Sequence, residues 1–122
     1  VSITGDGGFM FGVQELATAV QYGIGLITLI FNNNSFGNVR RDQINFFDGH
    51  VYGSELHNPH FVKLAESFGA AAYRANSPQQ FKTLLENALI ESEQGPVVIE
   101  IHCERGSEKS PFDLLIPANY GR

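Results

Sequence analysis

Short apolar runs, each of strand length, alternate along this chain with single stretches whose apolar residues recur every three or four positions, and that alternation decides the fold class. Val1 to Thr4 reads as a first strand, and Val13, Leu16, Ala17 and Val20 then recur at helical spacing up to Tyr22-Gly23, where glycine supplies a left-handed cap. Leu26 to Phe31 is apolar apart from Thr28, too short for a helix, and reads as a strand buried on both faces. Asn58-Pro59 predicts a capped helix through Phe61, Leu64, Ala65 and Phe68, closed by Gly69. Ala70 to Arg74 is a third strand. Ser77-Pro78-Gln79-Gln80 offers a capping box and opens a helix through Phe81, Leu84, Leu85, Ala88 and Leu89, and Val97 to His102 is the last strand. Strands joined by single helices pair in parallel through right-handed crossovers, so the expected architecture is α/β, a three-layer sandwich around a mainly parallel sheet.

At 122 residues the chain supplies one core. Its 43% apolar content is enough to fill that core. The expected division is a core unit over residues 1–103 and a tail over 104–122, whose Phe112, Leu114, Leu115 and Ile116 form a lid over the site or dock on the sheet. Because the chain opens at Val1 inside a strand, the domain is expected to be truncated at its N-terminal side. A net charge of −5 disfavours nucleic acid and anionic membranes as partners. Cys103 is the single cysteine, so no internal disulfide forms and a cytoplasmic setting is the default. No apolar run approaches the ~20 residues of a membrane helix.

In parallel α/β sheets ligands gather beyond the carboxyl ends of the strands, which singles out the loops after Thr4 and after Phe31. The first carries Gly5, Gly7 and Gly8, which let a backbone approach an anion closely. Two phosphate fingerprints miss narrowly: G-x-G-x-x-G fails at Met10, and the P-loop pattern has Val13 where lysine is needed. With no lysine in the loop and Asp6 itself anionic, a bound diphosphate requires a cation between them. Asn33, one strand-helix-strand unit away, emerges at the same sheet edge. A carboxylate, an amide oxygen and main-chain carbonyls form an oxygen-only set suited to Mg²⁺ or Ca²⁺ and unsuited to Zn²⁺.

Gly5-Asp6-Gly7, 24 further residues and Asn32-Asn33 together resemble the binding motif of thiamine diphosphate enzymes. The whole of residues 5–41 is similar to the corresponding stretch of the acetolactate synthase, benzoylformate decarboxylase and pyruvate decarboxylase group. The resemblance implies a thiamine diphosphate- and Mg²⁺-binding domain, in which Asp6, the Asn33 side chain and the Ser35 carbonyl ligate the metal. It also implies that Gly7 and Gly8 give backbone N–H groups to the diphosphate, that Gly5 belongs with them to the cofactor-binding set, and that Phe36, Gly37, Asn38 and Val39 wrap the cofactor near its diphosphate and thiazolium ring. Acetolactate synthases usually carry Gly-Met-Val where this chain has Gly37-Asn38-Val39, and an aromatic residue near Asp42, so the group is implied rather than that one activity.

The implied reaction is decarboxylation or carboligation of a 2-oxo acid. The implied partner is a pyrimidine-binding domain of a second subunit, which brings the catalytic glutamate, so a homodimer or homotetramer is expected and this chain holds no catalytic residue of its own. A non-catalytic binding or assembly domain, and more distantly a nicotinamide-dependent dehydrogenase domain, are the alternatives. His50, His57 and His60 are spaced poorly for zinc and read as loop residues. Arg40 and Arg41 meet an anion or are solvated surface charge.

Overall fold

The computed structural model describes residues 1–107. The tail residues Phe112, Leu114, Leu115 and Ile116, assigned above to a lid or a docked segment, lie outside them. Four strands, β1 (Ser2–Gly5), β2 (Ile27–Asn32), β3 (Ala71–Ala75) and β4 (Val97–His102), form one parallel sheet in the order β1-β2-β4-β3. Among the described residues five helices accompany them: α1 (Asp6–Met10), α2 (Glu15–Gln21), α3 (Gly37–Phe46), α4 (Phe61–Phe68) and α5 (Pro78–Glu91). The three layers expected from the sequence are present. On one face Ile30, Ala72 and Val98 meet Phe9 of α1, Leu16 of α2 and Phe61 and Ala65 of α4. On the other, Ile27, Leu29, Val97 and Ile99 meet Ala88, with Phe81, Leu84 and Leu85 of α5 packed against them.

Several boundaries differ from the periodicity reading for identifiable reasons. The Gly-rich stretch after β1 is a one-turn helix rather than an open loop, because Phe9 folds back into the core and closes the turn. Residues 37–46 are helical although their apolar positions are not periodic; α3 buries none of its residues, so no core-facing stripe exists to be read. Phe31 is 42% exposed rather than buried on both faces, since it lies toward the end of β2 on the α5 side, beyond the helix that covers that face. Ser77 caps α5 as expected, accepting from the Gln80 N–H at 3.2 Å, with Pro78 in the first turn. The reciprocal arm of the capping box is shifted, Gln80 Oε1 accepting from the Asn76 N–H at 2.9 Å. His60, and not Asn58, caps α4, accepting the Lys63 N–H at 3.3 Å. Gly69 closes that helix at φ +92°, where a side chain would be strained.

Tyr73 of β3 reaches across to α5, its hydroxyl donating to both Glu91 carboxylate oxygens at 2.8 and 2.9 Å. That hydrogen bond, then partial burial and the adjacent negative charge, holds the phenol above its usual range. A raised phenol means the bond stabilises the fold below the unfolded pKa of about 10 and is lost as pH rises through the higher folded value. Tyr73→Phe is therefore expected to cost about 1 kcal/mol in urea titrations at pH 7, with the gap from wild type closing in strongly alkaline buffer.

Candidate functional site

The carboxyl end of β1 runs straight into α1, which places Asp6 at the first helical position, and the end of β2 leads through Asn33-Asn34-Ser35 into α3. Because β1 and β2 are adjacent and parallel, with Gly5 level with Phe31, the two exits lie side by side. Asp6 is only 2% exposed and Ser35 only 3%. A single backbone N–H ties them together: Ser35 N–H donates to Asp6 Oδ2 at 3.2 Å and to Asn33 Oδ1 at 3.0 Å. Two residues far apart in sequence thus present their oxygens to the same nitrogen, as the spacing argument requires.

The asparagines make this turn for a local reason. Asn32 Oδ1 accepts the Asn34 N–H at 3.1 Å, and Asn33 Oδ1 accepts both the N–H and the hydroxyl of Ser35. These are side-chain turns that free the backbone from the strand, and Asn34 adopts φ +54°, which asparagine tolerates better than most residues. Ser35 pairs with Glu55 in an isolated antiparallel bridge whose hydrogen bonds run from its neighbours, Phe36 N–H to Ser54 and Leu56 N–H to Asn34. Among the described residues, nothing donates to the Ser35 carbonyl, and nothing donates to Asp6 Oδ1.

Gly7 and Gly8 sit within the first turn of α1, after Gly5 at the capping position. The Phe36 ring lies so close over Gly7 that a Cβ there would come within 2.3 Å of it, and Phe36 in turn stacks on Phe11 with ring centroids 6.1 Å apart. Gly37, Asn38 and Val39 form the first turn of α3, so two helix N-termini start beside Asp6 and Ser35, a setting that favours an anion. Beside them Gly7, Met10, Phe36, Leu56, His57 and Pro59 help to line a mostly apolar cleft of about 250 Å³.

Residues that sequence reasoning missed complete the site. Asn58 Nδ2 donates to Asp6 Oδ2 at 2.6 Å, although the chain pattern gave it a helix-capping role. Glu100, a lone acid in the apolar strand β4, is 2% exposed; it accepts from Asn32 Nδ2 at 2.7 Å and from Arg74 Nε at 2.9 Å. Its presence in an otherwise apolar run was a readable signal of a buried partner. Arg40 and Arg41 pair with Glu55 and Asp42 at 3.1 and 3.2 Å, consistent with surface charge. Arg105 reaches back over the turn, donating to the Asn34 carbonyl at 3.0 Å. His50 and His60 make local bonds to the Phe47 carbonyl and the Lys63 N–H. Among the described residues no three His, Cys, Asp or Glu side chains gather as a metal cluster, and no helix is long and apolar enough to cross a membrane.

The profile of the thiamine pyrophosphate enzymes' C-terminal TPP-binding domain matches residues 1–101. The chain belongs to that family. Thiamine pyrophosphate is thiamine diphosphate under its other name, and the fold just described is the one this domain adopts in solved relatives. Benzoylformate decarboxylase from Polynucleobacter necessarius superposes with a TM-score of 0.79 at 25% identity, over 88% of this chain and 20% of that one. A probable acetolactate synthase large subunit from Methanocaldococcus jannaschii is 43% identical over 104 residues, which cover 83% of this chain and 17% of the relative. A 3D-(3,5/4)-trihydroxycyclohexane-1,2-dione hydrolase from Bacillus subtilis is 37% identical over 93 residues, or 71% of this chain and 15% of the relative. The chain thus spans about a fifth or less of the length of these relatives, and they are named for different reactions.

Proposed function

We propose that this thiamine pyrophosphate-binding domain holds the diphosphate through Mg²⁺ and serves a lyase or transferase that decarboxylates or carboligates 2-oxo acids. The observation that carries the reading is that the Ser35 N–H joins Asp6 Oδ2 and Asn33 Oδ1 at one point, while among the described residues no donor meets Asp6 Oδ1 or the Ser35 carbonyl. An oxygen-only set with a single carboxylate fits a hard cation that completes its shell with phosphate oxygens and water. Asp6, Asn33 and Ser35 would hold the ion. The N–H groups of Gly7 and Gly8 would meet the diphosphate, and Phe36, Gly37, Asn38 and Val39 would flank the rest of the coenzyme. When bound, thiamine diphosphate supplies the carbanion chemistry at the substrate carbonyl, and the protein orients it and excludes water.

The Asn33 side chain would give up its hydroxyl contact with Ser35 to ligate the ion, a small rearrangement within one turn. The reading also takes a pyrimidine-binding domain from a second subunit to complete the site, in a cytoplasmic homodimer or homotetramer. Calorimetric titration of the full-length protein with thiamine diphosphate tests it, alongside CO₂ release from a panel of 2-oxo acids. Binding is expected to vanish on chelation and return with added Mg²⁺, and at least one 2-oxo acid is expected to turn over. Equal binding after chelation would remove the bridging ion, and binding without turnover would favour a non-catalytic role.

A further inference from the structure

Asn58 is 52 residues from Asp6 in sequence, yet its amide nitrogen lies 2.6 Å from Asp6 Oδ2, 3.0 Å from Asn32 Oδ1 and 3.3 Å from Asn34 Oδ1. An amide carries two protons, so these three acceptors share them, and the shortest contact is the one to the carboxylate. The orientation is fixed from behind. Buried Glu100 accepts the Asn32 amide N–H with one oxygen and the Arg74 guanidinium with the other, which turns the Asn32 carbonyl oxygen toward Asn58. A connected polar chain, Arg74 to Glu100 to Asn32 to Asn58, therefore ends on Asp6, and its partly open side is a polar cleft of about 340 Å³.

Both donors to Asp6, Asn58 and the Ser35 N–H, meet the same oxygen, Oδ2. Among the described residues no donor meets Oδ1. A carboxylate held in this way offers a cation one oxygen rather than two. Mg²⁺ demands near-ideal octahedral geometry and accepts single oxygens readily, whereas Ca²⁺ takes more ligands and often a bidentate carboxylate. We propose that Asn58 is a positioning residue that confines Asp6 to one-oxygen coordination and thereby favours Mg²⁺ over Ca²⁺; this rests on the reading of Asp6 as a cation ligand given above.

The test measures thiamine diphosphate affinity of the full-length protein by calorimetry, in saturating Mg²⁺ and separately in saturating Ca²⁺, for wild type, Asn58→Ala and Asn58→Leu. Loss of a hydrogen bond that orients a metal ligand weakens the metal site by roughly tenfold or more. Asn58→Ala is expected to show about that loss with Mg²⁺ and a distinctly smaller one with Ca²⁺, so the preference between the two ions shrinks. Asn58→Leu fills the same space without donors and should give the same shift, deciding the matter if the alanine variant fails to fold. An equal loss with both ions, or no loss with either, overturns the assignment. Cation-independent binding by wild type would instead show the failure in the parent reading itself, and would take this one with it.

Discussion

Asp6→Ala is expected to abolish cation-dependent binding of thiamine diphosphate while leaving the domain folded. The carboxylate is the only charged group that the candidate set contributes, and it is buried, so no solvent-exposed neighbour can replace it. The fold tolerates its loss because both of its donors have other acceptors at hand: the Ser35 N–H keeps Asn33 Oδ1, and the Asn58 amide keeps Asn32 and Asn34. The cost to stability should therefore stay near ~1 kcal/mol, at the low end for a buried donor losing a partner. The cost to Mg²⁺-dependent affinity should exceed about a hundredfold, the upper end of what removing a supporting contact to a metal ligand does.

Asp6→Asn sharpens the expectation. Its oxygen would be drawn to the two donors that now meet Oδ2, because an NH₂ there would face the Ser35 N–H and the Asn58 amide donor to donor. The amide hydrogens would then point where the cation should sit, so the isosteric variant should bind as poorly as the alanine one. Asn33→Ala should lose less, since a neutral ligand is easier for water to replace. Calorimetry with and without Mg²⁺ separates the three. An Asp6→Ala protein that bound with near-wild-type, Mg²⁺-dependent affinity would place the ion elsewhere.

What the sequence disclosed follows from which interactions are local. The four strands and the helices α4 and α5 announced themselves through period, caps and glycine stops, because those signals depend on neighbours three or four residues away. Asp6 and Asn33 were legible because a strand-helix-strand unit brings its two exits to the same edge. Helix α3 was hidden, having no buried stripe, and α1 was hidden by two glycines that ordinarily break helices. Asn58 was misread for a different reason. Asn before Pro is a sound local capping signal, and only the tertiary placement of the loop at the carboxyl ends of β1 and β2 turns the amide away from the helix and onto Asp6, with His60 taking the cap. Glu100 sits between: its oddness was visible in Val-Val-Ile-Glu-Ile, but its partners Arg74 and Asn32 belong to two other strands.

Phe61→Ala should produce the largest loss of stability and should carry part of the site with it. The side chain is fully buried at the start of α4, three residues after Asn58, and its ring meets that of Phe9 edge-on, with centroids 5.6 Å apart at 79°. Phe9 lies three residues after Asp6 in α1, a helix of five residues that is too short to persist without tertiary packing. Truncating a buried phenylalanine costs about 3–5 kcal/mol, a large fraction of the ~5–15 kcal/mol that holds a domain together. The urea midpoint should fall by that loss divided by the slope m, with little change in the slope itself. Because the two rings fasten the segments bearing Asp6 and Asn58, thiamine diphosphate affinity should weaken as well under conditions where the variant is still folded. Phe81→Ala, on the opposite face and only partly buried against the α5 side of the sheet, should cost less and leave affinity unchanged. If Phe61→Ala lost the stability but kept full affinity, the position of α1 would be set by its junction with β1 rather than by the ring pair beneath it.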